Sequence, residues 1–569
     1  MNRMSSQALA SAFALAATLA AGTAAANETL QKASADPGQW VMQGRTYDNA
    51  RFSPLDAINA GNVKNLKVAY MVSLGALRSN ESTPIVVGDT LFVSSSGGPK
   101  AVFAVEAGTG KVKWRYEPDL PEDMMQYACC DVNSRGVSYA EGRIFVGRLD
   151  GNVVALDAKT GKEVWKTTVV DYKQGSVITS PPLVVKDLVI TGFGGGEYGA
   201  RGYISAYEQA TGKLKWRFYT VPGPGEPGND TWKGDSWKFG GGVSWLVGSY
   251  DPATNTVFYG TSNPGPWNTA VRGPGNGDYG KYTNLYTAST IALDADTGKL
   301  KFHLQHTPYD AWDYDGVNEL VLADIPIGGK KTPVFMKADR NGFFYVADRT
   351  NGKLISAEAF VPVNWAKGID VASTRPIEIP EMRPTLTNKA SGVCPNLLGG
   401  KNWQPMSYNP GTGLVYIPAQ NFCMDMKDLE IEYKRGIFYL GKDFATVSPK
   451  SGPLGEIVAW DPVAQKKVWS IKERFPFNGG TLSTAGNLMF YGSMEGMFKA
   501  VDAKSGEVLW SFNVGTGVGA GPITFTADGK QYVAVVVGRT AGIPPFMGDI
   551  GKEIIAATPE GGALVVFGL

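Results

Sequence analysis

The sequence predicts an all-β protein, an eight-bladed β-propeller of four-stranded antiparallel blades. The first observation is a recurring phrase. It reads "VFAVEAGTGKVKWRY" from Val102, "VVALDAKTGKEVWKT" from Val153, "YISAYEQATGKLKWRF" from Tyr203, "TIALDADTGKLKFHL" from Thr290 and "FKAVDAKSGEVLWSF" from Phe498. The second is its period: Gly110, Gly161 and Gly212 follow one another at a constant spacing of 51 residues, a length that points to radial or solenoid repeats. The third is composition. Glycines number 71 and are spread along the chain, with 14 Trp, 24 Tyr and 25 Phe, which suits many short strands and turns. Each copy is a strand, a tight turn and a second strand ending on an aromatic residue that packs between units, and the Asp-x-x-x-Gly portion, with Glu for Asp in the Val102 and Tyr203 copies, suits that turn. A β-sandwich would not require the repeat. Together with the weaker copies from Tyr345 and Ile457, the count points to eight blades, with seven as the other count the repeats allow.

Taken in order, residues 1–26 read as a secretory signal. Arg3 precedes the apolar run "ALASAFALAATLAAG", and "TAAAN" offers cleavage after Ala26. Residues 27–569 then form one propeller domain, with no later stretch resembling a transmembrane helix. The 54 basic and 53 acidic residues give no support for a nucleic-acid partner. Export permits disulfides, and the four cysteines pair most simply by proximity as Cys129–Cys130 and Cys394–Cys423. No C-x-x-C-H haem attachment is present, and "GTGVGAG" at 515–521 follows a blade repeat rather than opening a strand–helix unit, so no nicotinamide site is expected.

"YDAWDYDGVN", residues 309–318, places Asp310, Asp313 and Asp315 within six positions. Like charges this close need a positive species. On an extended strand Asp313 and Asp315 share one face; near a turn both also reach one cation. Carboxylates without thiols suit a hard ion with oxygen ligands, and Glu197 in "GFGGGEYG" and Asn263 in "TSNPGPWN" are further oxygen donors that a propeller can bring together. His303 and His306 lie three apart on an expected strand and face opposite sides, as structural residues rather than ligands.

"CCDVNSRG", "GGEYGARGY", "WKGDSWKFGGG", "NPGPWN", "WDYDGVNE", "DRNGFFYVADRTNG" and "GGKNWQPMSY", with the tryptophan-ended repeats, resemble the pyrroloquinoline-quinone (PQQ)-dependent alcohol dehydrogenases over nearly the whole mature chain. The branch is that of methanol and ethanol dehydrogenases. The resemblance implies an eight-bladed propeller and a periplasmic enzyme, a homodimer, that oxidises small primary alcohols to aldehydes and passes electrons to a soluble periplasmic cytochrome c. It implies Asp313 as catalytic base, with Glu197, Asn263, Asp313 and Asp315 on the metal. An acid at Asp315 marks the lanthanide(III)-dependent branch; Ca²⁺ is the alternative ion. It implies cofactor contacts from Glu81, Arg135, Thr179, Gly195, Gly196, Arg340 and Asn402. Trp245 is the implied floor under the quinone, and the Cys129–Cys130 ring its cover. Gly194, Val243 and Asn478 depart from the methanol enzymes, where serine, threonine and tryptophan are common. The alternative of a different class is a non-enzymatic periplasmic propeller for binding or assembly, which needs no convergence of these side chains.

Overall fold

A computed structural model describes residues 27–77, 80–95, 101–447, 452–539, 542 and 544–569; the expected signal, 1–26, lies outside them. Among the described residues, eight sheets carry four antiparallel strands in meander order, one of them extended by a fifth strand. The first blade runs Ile85–Val87, Thr90–Ser94, Val102–Glu106 and Val112–Tyr116. The last is built from both ends of the described chain: Lys67–Ser73 pairs with Gly562–Gly568, which continues through Lys530–Gly538 to Ile523–Ala527. That pairing closes the ring.

The repeat explains each blade. In its turn, Asp157 Oδ1 accepts the N–H groups of Thr160 at 2.8 Å and Lys159 at 3.1 Å. The N–H of Gly161 returns to the Asp157 carbonyl at 2.8 Å. Gly161 has φ +71°, and a Cβ there would lie 2.6 Å from the Trp114 ring of the preceding blade. The Trp114 indole N–H donates to the Ala158 carbonyl at 3.0 Å. Trp165 repeats this contact with Gln209, and Trp216 with Ala295, each at 3.0 Å. Tyr70 on the closing strand takes the same place against the first blade, donating to the Ala107 carbonyl at 2.6 Å. One such hydrogen bond contributes about 1 kcal/mol. Each buried Val, Leu or Ile contributes about 1.5–3 kcal/mol. Inner runs such as Val153–Leu156 are buried on both faces, so apolar packing between blades dominates and the indole bond sets register.

The N-terminal segment ties the inner strands together. The carbonyls of Tyr47, Asp48, Ala50 and Arg51 accept the N–H groups of Tyr250, Leu322, Tyr408 and Ser483 at 2.8–3.1 Å, one from each of four successive blades. Phe52–Ser53 then adds a parallel strand to Leu482–Thr484. Long excursions interrupt the meander on the opposite side, and these roof the cavity described next. The cysteines are bridged as Cys129–Cys130 and Cys394–Cys423.

Candidate active site

The segments that precede the inner strands converge on one cavity of about 400 Å³. It is lined by Glu81, Cys129, Cys130, Arg135, Thr179, Gly195, Glu197, Trp245, Asp313, Asp315, Arg340 and Asn402. Of the implied metal ligands and cofactor contacts, Gly196 and Asn263 do not line it. They sit just behind, Gly196 in the turn that carries Glu197 and Asn263 against Asp315. Two wider recesses, of about 690 and 750 Å³, lie elsewhere. The first opens toward the other ends of the inner strands, and its Arg349 is already paired with Asp251 at 3.1 Å and Asp324 at 2.7 Å.

Local backbone aims the acids. Glu197 sits in a 3-10 turn, Gly196–Tyr198. Gly195 before it has φ +120°, and a Cβ there would lie 2.5 Å from the Gly175 carbonyl oxygen, so the glycine directly before the Glu197 turn is a steric requirement. Asp313 and Asp315 lie in an irregular loop, 306–320, not on a strand. The shared-face expectation therefore gives way to the turn: Asp313 has φ +67°, a left-handed backbone that Asp tolerates better than most residues.

The acids form one buried network. Asp315 Oδ1 accepts the main-chain N–H of Asn263 at 2.7 Å, and its Oδ2 accepts the Trp245 indole N–H at 2.9 Å. Arg340 lies between the two aspartates, Nη2 to Asp315 Oδ2 at 3.0 Å and Nη1 to Asp313 Oδ2 at 3.3 Å. Burial raises Asp313 well above the ordinary carboxylate range; Arg340 opposes this, and Asp315 and Glu197 add to it. Burial, reinforced by Asp315, raises Glu197 to about 7. Burial works against the Arg340 charge too, but Asp315, Asp313 and Glu197 outweigh it and lift that pKa. Arg135 pairs with Glu81 at 2.8 Å and donates to Thr179 Oγ1 at 2.6 Å. Its guanidinium lies 5.0 Å from the ring centres of both Trp245 and Trp403.

The site suits a cation and a planar anion. Asp313 Oδ1 and Asn263 Oδ1 are buried with no hydrogen-bond partner among the described residues, an arrangement that is costly unless a positive group satisfies them. The donors Glu197, Asn263, Asp313 and Asp315 are all oxygens, as hard ions require. Among the described residues no three carboxylate, imidazole or thiolate groups already meet at one point; Arg340 instead takes up the aspartates. Two buried arginines beside an indole suit a flat, multiply anionic ring.

Sequence reasoning missed the mouth. Trp267, Leu397, Leu398, Leu440, Phe444 and Phe546 line its apolar side, with Phe438 at the rim. Phe438 stacks on Tyr198, ring centres 4.6 Å apart, and the Tyr439 N–H donates to the Glu197 carbonyl at 2.6 Å. Phe438, Leu440 and Phe444 come from the 429–447 excursion and Phe546 from the C-terminal segment, outside every motif; Leu397 and Leu398 directly precede "GGKNWQPMSY", and Trp267 belongs to "NPGPWN", where only Asn263 was singled out. Neither histidine reaches the cavity. His303 meets Tyr286 edge-on, and His306 is buried with Nε2 2.9 Å from Thr290 Oγ1.

The model of the β-propeller domain of PQQ-dependent glucose, ethanol and alcohol dehydrogenases matches residues 40–390 and 450–533. The chain belongs to this PQQ-dependent dehydrogenase family. It is 44% identical over 604 residues to a lanthanide-dependent methanol dehydrogenase of Methylacidiphilum fumariolicum (strain SolV), covering 99% of this chain and 97% of the relative. It is 41% identical to the quinoprotein alcohol dehydrogenase PedH of Pseudomonas putida, covering 98% and 96%. Among solved structures, a europium-containing methanol dehydrogenase superposes with a TM-score of 0.91 at 43% identity, covering 95% of this chain and all of that one. As a family member this propeller is an enzyme, a quinoprotein alcohol dehydrogenase, and not an assembly module.

Proposed function

We propose that this chain is a periplasmic quinoprotein that oxidises small primary alcohols, methanol or ethanol before bulky ones, to aldehydes. It uses PQQ with a lanthanide(III) ion and delivers electrons to a soluble cytochrome c, and the family resemblance carries a homodimer with it. The observation that carries the lanthanide reading is Asp315, a second aspartate held at the site by Asn263, Trp245 and Arg340. With a divalent ion this acid adds repulsion to Asp313 and Glu197; with a trivalent ion it supplies the missing charge. The names of the two methanol-dehydrogenase relatives, lanthanide-dependent and europium-containing, support the same ion. Among the described residues, no helix is long and apolar enough to cross a membrane.

PQQ, when bound, supplies a two-electron carbonyl acceptor, and the ion beside it a Lewis acid. Glu197, Asn263, Asp313 and Asp315 would hold the ion. Arg135 and Arg340, with Glu81, Thr179 and Asn402, would hold the ring's polar edge over Trp245, beneath the Cys129–Cys130 ring. Asp313 takes the hydroxyl proton of the alcohol on its carboxylate. To do so it must be ionised, and Arg340 and the cation both favour that form against burial. Leu440, Phe444 and Phe546 keep water from the carboxylate and present an apolar wall to the alkyl group.

The test is reconstitution of the purified protein with PQQ and either La³⁺ or Ca²⁺. Dye-linked oxidation is then followed across a series of primary alcohols, with the bound metal measured. La³⁺-dependent turnover fastest on the shortest alcohols is the expected result. Equal or greater turnover with Ca²⁺ would overturn the lanthanide reading, and no oxidation with either ion the whole proposal.

A further inference from the structure

Asp313 and Asp315 have tasks in this scheme; Asp310, the third acid of the run, has none and does not line the cavity. It is 1% exposed. Its Oδ1 accepts the N–H of Trp312 and its Oδ2 the N–H of Tyr314, each at 3.1 Å. Those two N–H groups bracket Asp313, the residue with φ +67°. Two buried arginines grip the same loop by its carbonyls. Arg272 Nη2 donates to the Asp310 carbonyl, and Arg383 Nη1 to the Tyr309 carbonyl at 3.1 Å.

Both arginines are themselves fixed. Arg272 also reaches the Pro266 carbonyl and Asn284 Oδ1, each at 2.7 Å. Arg383 makes a two-pronged pair with Glu378 at 2.9 and 2.8 Å, and its guanidinium lies 4.5 Å from the centre of the Trp312 ring. Burial lifts Asp310 to about 6, while Arg272, the two N–H groups and Arg383 pull it down. Both carboxylate oxygens are acceptors here. An asparagine would offer one acceptor and turn an NH₂ group toward a main-chain N–H.

We propose that Asp310, with Arg272 and Arg383, is a positioning device that holds the left-handed backbone at Asp313 and so aims its carboxylate at the alcohol hydroxyl. The inference rests on the reading of Asp313 as the base. A left-handed aspartate in a loop has neighbouring wells to relax into, and a shift of about 1 Å at a reacting group costs on the order of 100-fold in rate.

The test is a cycle of Asp310→Asn, Asp313→Asn and the double variant, each assayed as holoenzyme with PQQ and La³⁺. PQQ loading is followed separately by absorbance titration. Asp310→Asn is expected to lower kcat by about 10–100-fold with the alcohol KM within about threefold. PQQ affinity should stay within the same threefold, and the double variant should be no slower than Asp313→Asn alone. A merely structural loss would multiply with Asp313→Asn, and that result, or an unchanged kcat, overturns the positioning role. Should Asp310→Asn fail to accumulate, Arg272→Lys in the same cycle decides by the same criteria. An inactive wild type, or an Asp313→Asn as fast as wild type, overturns the base assignment and this inference together. An active, Asp313-dependent wild type with an indifferent Asp310 overturns only the latter.

Discussion

Asp315 illustrates how much one side chain is asked to do. Its two oxygens accept from Asn263 and Trp245, and Arg340 adds an ion pair. Asp315→Ala therefore removes a proposed ligand and frees Arg340 to close on Asp313. The expected outcome is a loss of La³⁺-dependent kcat/KM of about 100-fold or more, with Eu³⁺ affinity, read by luminescence titration, falling alongside. The free protein's melting temperature should fall modestly, since the buried N–H groups of Asn263 and Trp245 lose their acceptor while the repulsion with Asp313 and Glu197 is relieved. Glu81 provides a different test. Burial raises it from 4.5 to about 7 against the pull of Arg135. A group raised on folding stabilises below its unfolded pKa and loses that contribution as pH rises through the folded one. The cofactor-free protein should thus lose stability between pH 4.5 and about 7 on account of Glu81, by a few kcal/mol at most. In Glu81→Gln, melting curves across that range should show a shallower slope. An identical slope would mean that Glu81 is ionised throughout.

At the scale of the element, the repeat is a joint as much as a hairpin. The glycine of one blade admits the aromatic ring of the blade before it. Gly161→Ala places a Cβ at φ +71° and 2.6 Å from Trp114, which strains the backbone and pushes the ring at once. A loss of about 2 kcal/mol or more is expected, measurable by urea unfolding, and Trp114→Leu in the same chain should recover part of it by removing the clash. The roofing excursions follow other rules. The buried Lys442–Asp428 pair closes the base of the 429–441 loop, and Asp428 Oδ2 accepts the N–H of Thr269 at 3.1 Å. The helix that begins there, Thr269–Arg272, ends on the arginine that grips the Asp310 carbonyl. Apolar mouth and acid loop thus share a scaffold.

Across the whole molecule, the cavity draws on segments from Glu81 to Phe546, and the ring is closed by one strand pairing, Lys67–Ser73 with Gly562–Gly568. A ligand bound there touches many blades at once, and it binds only the closed ring. Loading with PQQ and La³⁺ together should raise unfolding free energy by about 2.7 kcal/mol when free ligand stands at about 100 times its Kd. Calorimetry should show the melting temperature climbing with ligand concentration, and chelation of the metal should reverse the gain. A midpoint independent of both ligands would place their binding outside the folded ring.

The repeat was legible because each hairpin is encoded within about fifteen residues: an Asp or Glu that opens the turn, a glycine that permits it, and an aromatic at fixed register. The acids of 309–318 were legible as a cluster needing a cation for the same reason, nearness along the chain. Their division of labour was not. That Asp313 keeps an unbonded oxygen, Asp315 is fully bonded and Asp310 turns away to cap two N–H groups depends on backbone angles that no spacing reports. Only the closed ring decided which of the distant residues meet. Glu81, Glu197, Arg340 and Asn402 face one cavity because successive blades rotate about a common axis, and the mouth belongs to excursions with no repeat. Periodic local chemistry specifies the blades; the contacts between non-neighbouring segments that make the site exist only once the blades have closed on one another.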